Sequence, residues 1–166
     1  MNKLPKLISW FLALFIMQAF VFDPVLLGIS YAPFVYVLLL ILLPNDWAPW
    51  FVLLTSFFIG LSIDFIFFSG GIHAGACLII SYARTLFIRA VYSDTITPEN
   101  LKIEQESFGS LFRYITLVVI VHHFFIFVFT VGSTERIGWL ISAWLTNSLI
   151  TILASLTILT LTRSIK

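Results

Sequence analysis

Charge is what this chain has least of. Only 10 % of its 166 residues are Asp, Glu, Lys or Arg, where soluble globular domains carry about 25 %. The few charges nearly cancel, nine basic against eight acidic for a net +1. No basic face can therefore neutralise phosphates, and a nucleic-acid partner is excluded. Cys77 is the single cysteine, so no intrachain disulfide can form. Catalytic patterns are missing too. "GLSID" is not a nucleophile elbow, and neither an H-E-x-x-H pair nor a phosphate-binding loop occurs. His122 and His123 are adjacent, so a regular helix cannot aim both at one ion. No catalytic, cofactor or metal site is expected, and no internal repeat, heptad array or low-complexity tract is visible.

What fills the chain instead is hydrocarbon. Hydrophobic residues make up 60 %, with eighteen phenylalanines, more apolar surface than a water-soluble fold of this size can hide. The expected class is an all-α integral membrane protein. The start, "MNKLPKLISWFLALFIMQAFVF", resembles a secretory signal. It lacks a small-x-small cleavage site before Asp23-Pro24, so it reads as a retained first span.

Since about 20 apolar residues cross the hydrocarbon core, polar punctuation divides the chain into one domain of six spans, at about 7–22, 31–43, 49–67, 72–90, 112–131 and 139–161. Gly28 and Pro33 interrupt the second. Pro33 suits a first helical turn, with residues 25–32 as an interfacial or re-entrant segment. Lys and Arg accumulate on cytoplasmic flanks. With both termini inside, Lys3, Lys6, Arg84, Arg89, Lys102, Arg113, Arg163 and Lys166 all fall in or towards the cytoplasmic half, and only Arg136 lies outside. Trp10, Trp47, Trp50 and Trp139 lie at the expected interfaces. The largest loop, 92–111, is cytoplasmic on this topology, and its four acids outnumber its one lysine. "TPEN" within it reads as a helix start capped by Thr97. Leu101, Ile103 and Phe108 give it an apolar side, suited to a plain connector or to docking a cytoplasmic protein.

Ionisable groups inside the membrane are expensive. An aspartate at a span centre costs about 2.5–3.5 kcal/mol. Asp64 closes span three and His73 opens span four, with "FSGG" between them. Their matched depth predicts a polar staple for a helical hairpin, with a proton relay or a metal or substrate ligand as the functional counterpart. Arg84 points inward or reaches to headgroups. At least one of His122 and His123 faces the bundle interior. Asn147 and Thr151 share a face of span six, set for bonds across helices. Gly60, Gly71 and Gly75 form small-residue faces where helices approach closely, belonging either to this chain's own packing or to a partner.

The combination "GLSIDFIFFSGGIHAGA", then "SYARTLFIRA", then "VVIVHHFFIFVF" resembles the rod shape-determining membrane protein MreD family, especially its versions from Bacteroidetes-type bacteria. The G-x-x-x-D and G-x-H-A core carries most of the likeness. The resemblance implies a non-enzymatic subunit of the cell-wall elongation machinery in the bacterial cytoplasmic membrane. It implies association with the single-span protein MreC, with the actin homologue MreB, and with the peptidoglycan synthases. It also implies a six-helix fold similar to the vitamin-binding S-components of ECF transporters. It marks Asp64 and His73 as characteristic positions and supplies no chemical role for them. An S-component-like binder of a small molecule is the alternative. Such proteins carry an A-x-x-x-A pattern on the first helix, whereas Ala13 and Ala19 here are six apart. An intramembrane enzyme ranks below both for want of motifs.

Overall fold

The computed structural model describes residues 3–22, 31–92, 101, 103, 106–130 and 137–164. Among these the chain is all-helical. Its elements are α1 (Lys3–Ile16), a π-helical turn (Met17–Val21), α2 (Val37–Leu42), α3 (Pro49–Phe67), α4 (Ile72–Val91), α5 (Phe108–Thr130) and α6 (Ile137–Ser164). Four of them, α3 to α6, are long and apolar enough to cross a membrane. Only 33–44 % of the residues in their apolar stretches are buried inside the protein. The outward faces carry Leu54, Phe58 and Phe65 on α3, and Leu145, Leu149 and Leu153 on α6. Apolar surface this continuous is stable only where the surrounding solvent is itself apolar.

Local chemistry sets the helix ends. Pro49 occupies the first turn of α3, where its missing N–H costs nothing. The helix closes on Phe68 in the left-handed region, φ 51°. Gly70 (φ 67°) and Gly71 (φ 98°) then reverse the chain within four residues, a route that side-chain-bearing residues resist. Ser107 starts α5, its hydroxyl accepting the Ser110 N–H at 3.2 Å. The expected limits 49–67 coincide with α3. The expected 72–90, 112–131 and 139–161 differ from α4, α5 and α6 by a few residues at their ends.

The second expected span is different. Residues 31–34 carry no regular secondary structure, a turn follows, and only Val37–Leu42 is α-helical. Pro33 lies in this irregular stretch rather than in a first helical turn. Neighbouring side chains take the backbone donors on either side of it, as described below, and this holds the segment open. Entry into α2 is tightened by i→i+3 bonds, among them Leu39 N–H to the Tyr36 carbonyl at 2.9 Å. This short helix and the turn before it are the best-buried stretch among the described residues: residues 35–41 all stay within 2 % exposure. α2 packs against α1, α4 and α5, and α3, α4, α5 and α6 pack in sequence order.

The interfacial segment expected before residue 31 falls largely on residues 23–30. Those residues, the "TPEN" start, most of the 92–111 loop and the 131–136 connection with Arg136 lie outside the described residues. Leu101 and Ile103 turn inward and join the core, and the Asn45 amide donates to the Leu101 carbonyl at 2.9 Å. Two of the three apolar residues expected to make a docking side thus close the end of this bundle. Phe108 remains exposed.

Candidate functional site

A non-helical segment inside a helical bundle leaves its N–H and C=O groups without helical partners, and in an apolar surround each orphan costs several kcal/mol. The polar side chains of the core answer that problem. Asn147 and Thr151 lie four apart, one above the other on α6. Asn147 Oδ1 accepts the Ala32 N–H and Thr151 Oγ1 accepts the Phe34 N–H, each at 3.0 Å. The Ala32 and Phe34 donors, two residues apart, both face α6. An extended path would space them by about 6.7 Å, close to the roughly 6 Å between helix positions i and i+4. Side chains on a helix therefore play the part of a neighbouring strand. Asn147 is oriented by donating to the Ala143 carbonyl at 2.8 Å. Thr151 donates its own proton to His123 Nε2 at 3.1 Å, while His123 Nδ1 donates to the Val119 carbonyl at 2.9 Å.

At the other end of the same segment stands Arg84. Its guanidinium, 7 % exposed, donates to the carbonyls of Ile41, Leu43 and Pro44. The Ile41 and Leu43 carbonyls belong to the end of α2, which leaves them without helical donors, and a cation is favoured at that negative pole. Of the two orientations open to Arg84, the inward one holds. Arg89, on the last turn of α4, is exposed.

Asp64 serves a third terminus. Gly71, at the cap of α4, has no side chain to offer the first N–H groups. The Asp64 carboxylate reaches across the hairpin instead, Oδ1 accepting His73 N–H at 2.9 Å and Oδ2 accepting Ala74 N–H at 2.8 Å. The Ser69 hydroxyl also donates to Oδ1. The staple between Asp64 and His73 is thus made to the backbone of residue 73 and not to its imidazole, because two aligned amide donors at a positive helix pole suit a carboxylate.

The His73 ring is engaged elsewhere. Its Nδ1 lies 2.6 Å from the Tyr36 hydroxyl, which also lies 3.1 Å from His122 Nε2. The phenol carries one proton, so it donates to one imidazole and accepts from the other. Cys77 Sγ touches the same His122 nitrogen at 4.0 Å. His122 Nδ1 is buried with no partner. Both central histidines face inward, each at 0 % exposure. The Phe34 ring stacks on His123 at 5.2 Å and meets His73 edge-on at 5.5 Å. Chemically this is a short relay, imidazole–phenol–imidazole, anchored to the segment that α6 holds. Among the described residues no three His, Cys, Asp or Glu side chains converge on a point suited to a metal ion.

The glycines divide by role. A Cβ on Gly60 would lie 2.5 Å from Ala74 Cα and 2.6 Å from the His73 carbonyl oxygen, so α3 and α4 touch backbone to backbone there. One on Gly75 would meet only the Phe129 ring, at 3.8 Å, and one on Gly71 would meet nothing within 4 Å. A Ser81–Ser56 hydrogen bond ties the same two helices further along.

Tyr36 is the residue that sequence reasoning passes over. Its signal is a single phenol inside "FVYVLLLILL", where a hydroxyl needs a partner once buried.

No protein-family model, no curated protein and no solved structure matches the chain.

Proposed function

We infer that the chain is a non-enzymatic scaffold subunit of a rod-type cell-wall elongation complex in the bacterial inner membrane, as its resemblance to the MreD family implies. In this reading it binds the membrane helix of MreC and, through it, is linked to MreB and the peptidoglycan synthases. The observation that carries the reading is the use made of the residues that bear the resemblance. Asp64 clasps the start of α4 across the "FSGG" turn, and Gly60 lets the same two helices touch. Chemistry of this kind fixes a shape for others to bind.

Six crossings with both termini inside belong to the same proposal. α1 and its π-helical turn supply nineteen residues, Lys3–Val21, about 28 Å at helical rise. Residues 31–42 supply a broken crossing, and irregular backbone is tolerated at membrane depth when it is enclosed by protein. Cysteines placed at Glu104 and Thr134 in a Cys77→Ser background test the orientation. Labelling of Thr134 alone by an impermeant reagent from outside is expected, and labelling of both overturns it.

The functional test is depletion. Rods should round up, and MreC should co-purify with the tagged protein from detergent extracts. Unchanged rods after clean depletion, with no second copy of the gene, end the assignment. One observation favours the S-component-like alternative: the unpartnered His122 Nδ1 beside Tyr36 and Cys77 is a polar group that a small ligand would satisfy. Calorimetric titration with vitamins decides between them.

A further inference from the structure

Hydroxyls on the outer sides of α3 and α6 are satisfied by their own helices. On α3 Thr55 donates to the Phe51 carbonyl at 2.8 Å and Ser62 to the Phe58 carbonyl at 2.7 Å. On α6 Thr157 and Thr160 donate to the carbonyls of Leu153 and Leu156, each at 2.8 Å. A hydroxyl bonded in this way asks nothing of the surrounding lipid.

α4 departs from that pattern. Tyr82 is 83 % exposed, and Thr85 and Leu86 are exposed beside it. Among the described residues neither the Tyr82 phenol nor the Thr85 hydroxyl makes a hydrogen bond. A phenol cannot turn back as a threonine does, because its rigid ring carries the oxygen away from its own backbone. Nor does Tyr82 lie at a membrane interface, where tyrosines anchor. α4 runs twenty residues, Ile72–Val91, about 30 Å at helical rise and the thickness of the hydrocarbon core. Tyr82 stands midway, about 15 Å from either end, and a phenol spans less than half of that distance.

Acyl chains hold neither donors nor acceptors, so at this depth only another protein group can satisfy the two hydroxyls. The face also has the spacing of a helix seam. Ile79, Tyr82 and Leu86 follow one another at three and four residues, with Thr85 on the flank. Hydroxyls both donate and accept. Two identical faces therefore satisfy one another at equal depth about a two-fold axis, Tyr82 against its counterpart and Thr85 against its own. Arg84, the charge at depth on this helix, is turned inward onto the carbonyls at the end of α2. Nothing at the centre of the face thus calls for a partner of opposite charge. Arg89, on the last turn, stands where its long stem reaches headgroups and water.

We propose that the Tyr82 face of α4 is an interface between two copies of this chain, paired in parallel with Tyr82 at its centre. The second copy supplies the hydrogen-bond partners that lipid lacks.

The test uses the full chain in vesicles of phosphatidylethanolamine and phosphatidylglycerol, with donor and acceptor fluorophores on the amino termini of separate batches. Energy transfer is expected to rise with the protein-to-lipid ratio and to saturate with the stoichiometry of a dimer. Tyr82→Phe removes only the oxygen from an exposed ring. It should keep its helix content by circular dichroism and raise the dissociation constant about 3- to 30-fold, the range of interhelical hydrogen bonds. Single cysteines in a Cys77→Ser background locate the contact. Leu86→Cys should form an interchain disulfide on oxidation, whereas Leu54→Cys on α3 and Leu149→Cys on α6 should not. Transfer no greater than chance proximity at every ratio overturns the proposal. So does a Tyr82→Phe chain that pairs as tightly as wild type, or a dimer that cross-links through Leu54 or Leu149. A Leu86→Cys chain recovered from cells bonded to a different membrane protein, and not to its own copy, overturns the second copy as the occupant.

Discussion

The carboxylate of Asp64 and the backbone N–H of Ala74 are joined at 2.8 Å across a hairpin whose turn has no capping side chain of its own. Ten residues apart in sequence, they make the end of α3 and the start of α4 a single unit. Asp64→Leu leaves the N–H groups of His73 and Ala74 without their acceptor and should cost roughly 1–3 kcal/mol. Asp64→Asn keeps one carbonyl oxygen and should be milder. Thermal or SDS-driven unfolding in micelles ranks the two variants, and equal stability of Asp64→Leu and wild type removes the clasp.

Gly60 and Gly75 should respond differently to the same added methyl. Gly60→Ala pushes a Cβ onto the Ala74 backbone, and overpacking of this kind costs about 1–3 kcal/mol. Gly75→Ala meets only a ring edge at ordinary contact distance and should stay within about 0.5 kcal/mol of wild type. Abundance in the membrane and melting temperature report both. A Gly75→Ala variant that loses more than Gly60→Ala contradicts the helix packing described.

Tyr36→Phe removes the shared hydroxyl, leaving His73 Nδ1 without it and His122 Nε2 with only the Cys77 thiol. A loss of roughly 1–3 kcal/mol is expected, with the helix content unchanged by circular dichroism. A Phe variant as stable as the parent means that the two imidazoles find partners without the phenol.

Amide exchange should identify the side chains that replace a strand. Asn147→Leu exposes the Ala32 N–H, and Thr151→Val exposes that of Phe34. Each loss of about 1–2 kcal/mol speeds exchange at its own amide by roughly 5- to 30-fold. Acceleration spread evenly over α4 and α5 instead points to global loosening.

Much of the architecture was legible because lipid-spanning helices are written in long apolar runs with polar ends. α3 and α4 emerged within a residue of their limits, with Pro49 and "SGG" as punctuation. The juxtaposition of Asp64 and His73 was legible from their depth. The atoms that meet were not, because sequence names side chains and the partners here are amide N–H groups freed by a glycine cap. α2 was overestimated for a related reason. A run such as "YVLLLILL" is equally apolar whether it spans lipid or sits in the centre of a bundle, and the residues that decide between these, Asn147 and Thr151, lie more than a hundred positions away.

That distance has a consequence for how the protein is made. The Ala32 donor waits for an acceptor 115 residues downstream. At translation rates of about 5–20 residues per second, the interval is roughly 6–23 s. Throughout it α1, and later α4 and α5, can pack against the segment, but the Ala32 and Phe34 amides lack the acceptors that α6 brings. α6 then arrives as the closing piece of assembly, and a ribosome that stalls before Asn147 leaves a half-built bundle with bare amides, a ready substrate for membrane quality control.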